Sequence, residues 1–314
     1  MVTKSEDVAR AAGVSRATVS QILNGHGRRF SKATRERVLQ AAEELAYRPS
    51  VAGRALATGT SDIVVALLPY TTLSMNLQQV LERTTEELAK HGITLVLRLS
   101  TRAVAPLERL VTTLRPRAML SLTPFGDDER ALLERHSTAV VSPADYDDGF
   151  DQRVGRAQAE HLIERGFRRL AFVHIDDERY DPFGHLREVG VREVCQENGL
   201  PEPVVLKPRL AHADVLDVVD ALEPGTGAAC YNDDIAVALM HAAAERRREV
   251  PDAIAIIGMD GTQLSEAVGL TTLSVDVDAA ARASLDSLLA GLGLSTEGPA
   301  RPPVEPHVVA RRTT

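Results

Sequence analysis

The most constraining feature of this sequence is the alternation, from Ile63 onward, of short apolar runs with amphipathic segments. The runs have the length of strands buried on both faces, and the segments between them carry apolar residues at helical spacing. The apolar runs are IVVALLP, ITLVLRL and AMLSLTP and then, after Pro143, RLAFVHI, VVLK, AACYN and AIAIIGMD. The sequence therefore predicts an α/β core of two doubly wound parallel-sheet subdomains.

Helical patterns separate these runs. They are MNLQQVLERTTEELAKHG, a segment from Pro106 to Leu114, GRAQAEHLIERG, REVGVREVCQENG, DVLDVVDAL and DIAVALMHAAAERR. Ligands of open parallel sheets bind beyond the carboxyl ends of the strands. The polar and aromatic residues that follow the strands are therefore candidates to line one cleft: Tyr70, Tyr231, Asn232, Asp233 and Asp260.

A different pattern occupies the amino-terminal residues. A short helix pattern, SEDVARAA, ends at Gly13, and a second one, RATVSQILN, follows with Ser15 as its N-cap. Thr3 or Ser5 is expected to cap the first helix, since Thr3 has Glu6 three residues later. A third helix, SKATRERVLQAAEELAY, begins at the cap Ser31 and closes a three-helix core. Two helices joined by a three-residue turn predict a helix-turn-helix.

The charge distribution indicates a polyanionic partner for this amino-terminal part alone. The chain has a net charge of −8, but residues 1–60 contain ten Lys and Arg against five Asp and Glu, a balance of +5. The other residues carry a balance of −13. A basic head on an acidic body indicates that the head binds a polyanion.

The head closely resembles the DNA-binding head and hinge of the lactose-repressor (LacI/GalR) family. The resemblance is carried by EDVARAAGVSRATVSQILNG, FSKATRERVLQAAEELAYRPS and AGRALATGTS. It implies that the second helix enters the major groove and that residues 50–58 form a hinge helix on operator DNA. The two arginines of the loop GHGRRF, and Gly53 where alanine is usual, depart from the family pattern. The DNA-contacting residues expected from the resemblance are Ser15, Arg16, Ala17, Thr18, Ser20, Gln21, Asn24, Arg28, Arg29, Arg54 and Leu56.

The body resembles the effector-binding core of the same family, which is similar to periplasmic sugar-binding proteins. The motifs are HLIERGFRRLAFVHI, LREVGVREVCQENG, YNDD, VPDAIAIIGMDGT with LTTLSVD, and VEPHVVARRT. The resemblance implies that Arg187 grips effector hydroxyls or carboxylates, with Asn232 and Asp260 nearby. With no tryptophan in the chain, stacking on a sugar would fall to Tyr70, Phe150, Tyr180 or Tyr231.

Each candidate has a plainer alternative. Arg16 and Gln21 are also explained as solvated helix residues, and Leu56 as a core contact of the hinge rather than a wedge between base pairs. Arg187 is also explained as a surface ion-pair partner. Asn232 and Asp260 suit the caps of the helices that follow them.

We expect a helix-turn-helix domain over 1–48, a hinge over 49–61 and an effector-binding and dimerisation core over 62–314. Within the core, one subdomain comprises residues 62–155 with 276–300, and the other 156–275 with 301–314. The expected function is a sequence-specific transcriptional regulator, usually a repressor in this family. It would bind a pseudo-palindromic operator in double-stranded DNA as a homodimer and respond to a small molecule, such as a sugar.

The alternative is a cytoplasmic small-molecule-binding protein or enzyme of doubly wound fold with an incidental basic head. The sequence lacks a phosphate-loop Gly-Lys, a Gly-x-Ser-x-Gly elbow and a Gly-x-Gly-x-x-Gly after a strand, so no enzyme, cofactor or metal is expected. Cys195 and Cys230 are too few for a disulfide framework and are expected to be buried thiols. No apolar run approaches the about 18 residues that span a bilayer, so a cytoplasmic protein without a membrane partner is expected. The ending VVARRTT offers no heptad tail for tetramerisation, which favours a dimer.

Overall fold

A computed structural model describes residues 4–23, 27–47, 60–68, 75–99, 105–123, 125–142, 149–176, 183–294 and 303–314. These residues fall into two compact units. The first includes residues up to Ile63 together with 105–117, and the second includes 64–104 together with 118–314. The expected division at residues 48 and 61 and the pairing of segments in the core stay predictions.

The head is a three-helix structure, as the sequence predicts. Its helices are α1 (Ser5–Ala12), α2 (Arg16–Leu23) and α3 (Lys32–Glu44), with a 3₁₀ turn at Gly27–Arg29 between the last two. Gly13 adopts a left-handed conformation with φ +64°, which is the turn that ends α1. One apolar core joins the three helices: Val8, Ala9, Ala12, Val19, Ile22, Val38, Ala41 and Ala42.

Side-chain caps fix the starts of two head helices where the sequence places them. The Oγ of Ser15 accepts the Thr18 N–H at 3.1 Å, and the Oγ of Ser31 accepts the Thr34 N–H at 3.2 Å. The expected cap of α1 at Ser5 is wrong, because Ser5 is already helical. The carboxylate of Asp7 instead accepts the Lys4 N–H at 2.9 Å, and Thr3 lies outside the described residues.

A four-stranded sheet forms the first half of the body. Its strands are β1 (Ile63–Leu68), β2 (Thr94–Leu99), β3 (Ala118–Ser121) and β4 (Ala139–Val141), in the order β2-β1-β3-β4. Strand β3 pairs in parallel with both β1 and β4. The helices of this stretch are α4 (Met75–Lys90), α5 (Ala105–Leu114) and α6 (Asp127–Arg135).

A six-stranded sheet forms the second half. Its strands are β5 (Arg169–Val173), β6 (Val204–Leu206), β7 (Thr226–Cys230), β8 (Ile254–Met259), β9 (Thr271–Ser274) and β10 (His307–Val309). The order is β10-β9-β8-β7-β5-β6, and all pairs are parallel except β10 with β9. The helices are α7 (Phe150–Glu164), α8 (Gly184–Glu197), α9 (His212–Ala221), α10 (Asp233–Glu245) and α11 (Gln263–Val268).

Helices cover both faces of this second sheet, which confirms the predicted doubly wound arrangement. Alternate residues of β5 enter different cores: Ala171 and Val173 pack in one, Leu170 and Phe172 in the other. The two cysteines are buried and unpaired with each other, as expected.

The last elements connect the two sheets. Helix α12 (Val277–Gly291) places Leu288 in the core of the four-stranded sheet, after which β10 joins the edge of the six-stranded sheet. None of the helices within the described residues combines the length and apolar character needed to cross a bilayer.

A close helix crossing positions the candidate ligand site. A Cβ built on Gly155 of α7 would lie 1.9 Å from the carbonyl oxygen of Arg187, and one built on Gly190 of α8 would lie 2.2 Å from that of Gln152. The backbones of α7 and α8 are therefore in direct contact, which brings the first turn of α8 against the start of α7.

Candidate nucleic-acid interface and ligand site

Helix α2 has one buried face and one polar face. Val19 and Ile22 are buried, whereas Arg16 and Ala17 are exposed. Ser15 is exposed, and Thr18, Ser20 and Gln21 are half-buried. Ser15 has a structural role as well, because its Oγ caps the helix.

Several of the predicted DNA-contacting side chains form hydrogen bonds or ion pairs within the head. The guanidinium of Arg29 donates a hydrogen bond to the Oε1 of Gln21 and lies 5.1 Å from the centre of the Phe30 ring. The guanidinium of Arg16 lies 3.5 Å from Glu6, with both side chains largely exposed. Arg28 is exposed in the turn that precedes α3. The head thus presents several cations beside the polar face of α2.

Four predicted contact residues lie outside the described residues: Asn24, Arg54 and Leu56 for DNA, and Tyr70 for the effector. Tyr180, one candidate for stacking on a sugar, is outside them too. Their roles stay predictions.

Arg187 forms a buried centre at the carboxyl end of the second sheet. Its Nε donates to Asp151 Oδ1 at 2.9 Å, and its Nη1 donates to the carbonyl oxygen of Tyr231 at 2.6 Å. The guanidinium also lies 5.0 Å from the Tyr231 ring centre and 5.7 Å from that of Phe183. Since the Arg187 side chain is only 8% exposed, its ion pair is not the surface pair that the sequence left open.

The charges at this centre perturb one another. Burial lowers the pKa of Arg187, but Asp151, Tyr231 and Asp260 together raise it above its usual value. Burial, together with the nearby carboxylates, raises the pKa of Asp260 to about 7 against the opposing effect of Arg187. Asp260 also has a backbone φ of +118°, a conformation that side chains other than glycine rarely adopt. Perturbed carboxyls and strained backbone cluster at functional sites.

Asn232 and Asp233 stabilise the start of α10. The Oδ1 of Asn232 accepts the Ile235 N–H at 3.2 Å, which is the capping role that its position suits. Asp233 is 1% exposed and accepts three hydrogen bonds, from the N–H and hydroxyl of Thr262 at 2.8 and 2.9 Å and from the hydroxyl of Thr272 at 2.6 Å. Burial raises the pKa of Asp233 above its usual value.

Asp260 does not cap the helix after it, so that alternative is wrong. The cap of α11 is Thr262, whose Oγ1 accepts the Ser265 N–H at 3.1 Å. Asp151 and Phe183, which also lie beside Arg187, were not predicted from the sequence. No signal in the pattern of strands points to them, because Asp151 lies in the first turn of α7 and Phe183 directly precedes α8, and neither follows a strand of the sheet.

Arg187, Tyr231 and Asp260 therefore come together as the sequence predicts, with Asp151 and Phe183 added. A planar cation beside two aromatic rings and two carboxyls can bind a ligand that offers several hydroxyl groups and an apolar ring face.

Two parts of the chain match known protein families. Residues 6–50 match the family model of bacterial regulatory proteins, lacI family, and residues 159–314 match the model of the periplasmic binding protein-like domain. The chain is 30% identical over 306 residues to the HTH-type transcriptional regulator GntR of Pseudomonas aeruginosa, with 90% of this chain and 88% of the relative covered. This chain belongs to the LacI family.

Solved structures show the shared LacI fold. The Lac repressor dimer bound to operator and the anti-inducer ONPF matches with a TM-score of 0.75 and 21% identity, over 100% of this chain and 99% of that one. The transcriptional regulator CelR in complex with cellobiose matches with a TM-score of 0.65 and 21% identity, over 99% and 100%. Helix-turn-helix helices and two parallel-sheet subdomains are the common architecture. This LacI-family chain is a DNA-binding transcriptional regulator and not an enzyme.

Proposed function

We propose that this LacI-family regulator is a repressor that binds a pseudo-palindromic operator as a homodimer and releases or tightens its hold when a small hydroxylated molecule binds the body. The polar face of α2, fixed on a rigid three-helix core, is the observation that supports operator recognition. A two-fold dimer presents two identical recognition helices, so its site has two inverted halves.

The side chains of α2 suit particular base edges. Arg16 suits the two acceptors of guanine, Gln21 the acceptor and donor of adenine, and Ala17 the methyl group of thymine. The other residues proposed to contact DNA are Ser15, Thr18, Ser20, Asn24, Arg28, Arg29, Arg54 and Leu56. Arg28 and Arg29 suit phosphate, and Leu56 suits a wedge in the minor groove at the operator centre.

Strand β2 supports the dimer. It is one of the two edge strands of the four-stranded sheet, and its residues Leu97 and Leu99 are 51% and 53% exposed. An exposed edge with apolar side chains is a surface that proteins ordinarily cover. A second copy of the chain is the partner that we assign to it.

The effector is proposed to bind at Arg187, Tyr231 and Asp260, with Asn232, Asp233 and Tyr70 as further contacts. The buried guanidinium beside the rings of Tyr231 and Phe183 supports a ligand with a ring and several hydroxyls, such as a sugar. Near neutral pH, a carboxyl with a pKa of about 7 can donate a hydrogen bond to a hydroxyl when protonated and accept one from a hydroxyl when ionised. The effector shifts operator affinity only by its differential affinity for the two states of the dimer.

Base preference tests the DNA half of the proposal. Gln21→Ala is expected to relax specificity at one base pair in each half-site by about 1–3 kcal/mol and to leave salt-dependent binding to random DNA unchanged. Gln40→Ala is the matched control, because Gln40 is an exposed glutamine of α3 that bonds Glu44 at 2.9 Å. An unchanged preference in Gln21→Ala, measured on duplexes with every base at that position, would remove Gln21 from the interface.

A ligand screen tests the effector half. Thermal stabilisation by sugars, sugar phosphates and nucleosides identifies a binder, because a ligand at 100 times its Kd adds about 2.7 kcal/mol of stability. Asp260→Asn is then expected to reduce the effect of that ligand on operator affinity, while Asp217→Asn, an exposed acid of α9, keeps it. A full ligand response in Asp260→Asn would place the effector elsewhere.

A further inference from the structure

Three side chains on the outer helices of the second sheet form a cluster that the regulator function does not use. They are His212, the first residue of α9, and His241 and Glu245 of α10. One ligand-forming atom from each residue lies within 4.8 Å of the other two. All three residues are exposed. We propose that this cluster is a binding site for a divalent transition-metal ion, represented by Zn²⁺.

The spacing of the residues brings the donors together. His241 and Glu245 are four residues apart, so they lie on the same face of α10, one turn from each other. His212 reaches that face from α9, where its Nε2 lies 3.3 Å from the Oε2 of Glu245. The two imidazole ring centres are 6.2 Å apart. The helices that carry these residues pack against each other in the fold, so the cluster does not depend on a loop.

These distances suit a small metal ion. Zn²⁺ takes imidazole nitrogen and carboxylate oxygen at about 2.0–2.2 Å, which sets neighbouring ligands of a tetrahedral site about 3.3 Å apart. The distance between His212 and Glu245 already has this value. The other ligand atoms lie within 4.8 Å of one another, so they must move closer by up to roughly 1–1.5 Å. Rotation of exposed side chains is sufficient for this movement.

The chemistry of the donors selects the class of metal. Two imidazoles and one carboxylate favour Zn²⁺, Ni²⁺, Co²⁺ or Cu²⁺, whereas Mg²⁺ prefers oxygen ligands alone. Three protein ligands leave at least one coordination position for water.

Arginines near Glu245 form ion pairs with other carboxylates, so Glu245 is available to the cluster. The adjacent Arg246 donates to Asp220 at 2.8 Å, and Asp214 accepts from Arg209 at 2.7 Å. Within the described residues, the ion pair of Glu245 is the one with His212.

The site is separate from the proposed effector residues. Asp233 begins α10 and Glu245 ends it, so they are about 18 Å apart along the helix axis. A bound ion would join α9 to α10 and stabilise the second sheet, since it binds the folded arrangement of the three ligands.

Zinc binding to the full-length chain, freed of any affinity tag and treated with EDTA, tests the proposal. Equilibrium dialysis against ZnCl₂ is expected to give one ion per chain that MgCl₂ does not displace. Since even outer-shell partners of metal ligands contribute about 10–100-fold to affinity, His212→Ala, His241→Ala and Glu245→Gln are each expected to weaken binding at least about tenfold. Zinc is expected to raise the melting temperature of the wild type and not of the variants.

Two exposed histidines outside the cluster provide matched controls, His91→Ala and His136→Ala, which are expected to bind zinc like the wild type. Far-UV circular dichroism of each variant checks folding, which the exposure of all three ligands favours. Zinc binding that survives in the His212→Ala, His241→Ala double variant would overturn the proposal, as would an equal loss in the control variants or displacement by MgCl₂. These outcomes are independent of operator binding.

Discussion

Replacement of Arg187 by methionine perturbs the buried charge centre most directly. Methionine keeps an unbranched side chain but lacks the guanidinium that donates hydrogen bonds to Asp151 and to the carbonyl oxygen of Tyr231. The variant leaves a carboxylate that is 16% exposed, and a buried carbonyl oxygen, without this donor. We therefore predict a loss of folding stability even when no effector is present.

The magnitude follows from burial. Removal of one partner from a buried ion pair costs about 3–5 kcal/mol, because the remaining charge stays in a region of low dielectric. For a unit of this size, each kcal/mol corresponds to about 2–4 °C, so the melting temperature should fall by about 10 °C. Arg246→Met is the matched control, because Arg246 pairs with Asp220 at 2.8 Å on the surface and its loss should change stability little.

The penalty should also depend on pH. Arg187 lowers the pKa of Asp260, so its removal raises that pKa in the folded protein. A carboxyl whose folded pKa is raised costs stability when it is ionised, so the penalty of Arg187→Met is larger at pH 8 than at pH 5.

Urea and thermal unfolding, followed by far-UV circular dichroism at both pH values, measure these effects. Faster hydrogen exchange in peptides from α7 and α8 would show that the loss of stability arises at this helix pair. The Asp151→Asn, Arg187→Met double variant should recover part of the loss, since the uncompensated carboxylate is gone. If Arg187→Met lowers the free energy of unfolding by less than about 1 kcal/mol, as the control does, the buried-pair account is refuted.

Two further predictions concern the same region. The free energy of unfolding of the wild type, relative to that of Asp260→Asn, should fall as pH rises from about 4 to about 7 and should not change at higher pH. The reason is that the pKa of Asp260 is about 7 in the folded protein and 3.8 in the unfolded chain. Parallel pH profiles of the two proteins would contradict this. Gly155→Ala should destabilise the protein by at least about 1–3 kcal/mol, because the new Cβ meets the backbone of Arg187. Gly126→Ala, where the nearest atom is 3.7 Å away, is its control in thermal melting, and equal melting temperatures would contradict the close crossing.

Elements with strong hydrophobic periodicity were predictable from the sequence, and weakly patterned ones were not. The strands IVVALLP and AIAIIGMD and the three head helices appear where their patterns place them. Helix α6 was missed because DDERALLER is mostly charged, with Leu132 and Leu133 as its buried residues. Strand β4 (Ala139–Val141) was also missed. Helices α11 and α12 and strands β9 and β10 were also not assigned as elements.

The start of α7 was predicted wrongly because Gly155 was interpreted as a helix boundary. The sequence places the helix from Gly155, but it begins at Phe150. Val154 and Phe150 extend its apolar face, and Gly155 is a point of close backbone contact rather than a boundary.

Arg187 of the candidate site was predicted from the family resemblance, and other site residues were predicted because they follow strands. Tyr231 and Asp260 come directly after β7 and β8, so the rule for open sheets locates them. Asp151 reaches Arg187 because α7 crosses α8, and that crossing depends on tertiary packing that no local pattern encodes. The multiple hydrogen bonds of Asp233, likewise, involve residues about 30 and 40 positions away.

Selection of duplexes by the purified full-length chain from a random pool tests the central claim most directly. Operator recognition by two α2 helices of a dimer predicts an enriched motif with two inverted half-sites, bound more tightly than random DNA and with an affinity that falls steeply as salt rises. Enrichment of no motif, or of a single asymmetric site bound by one chain, would contradict it.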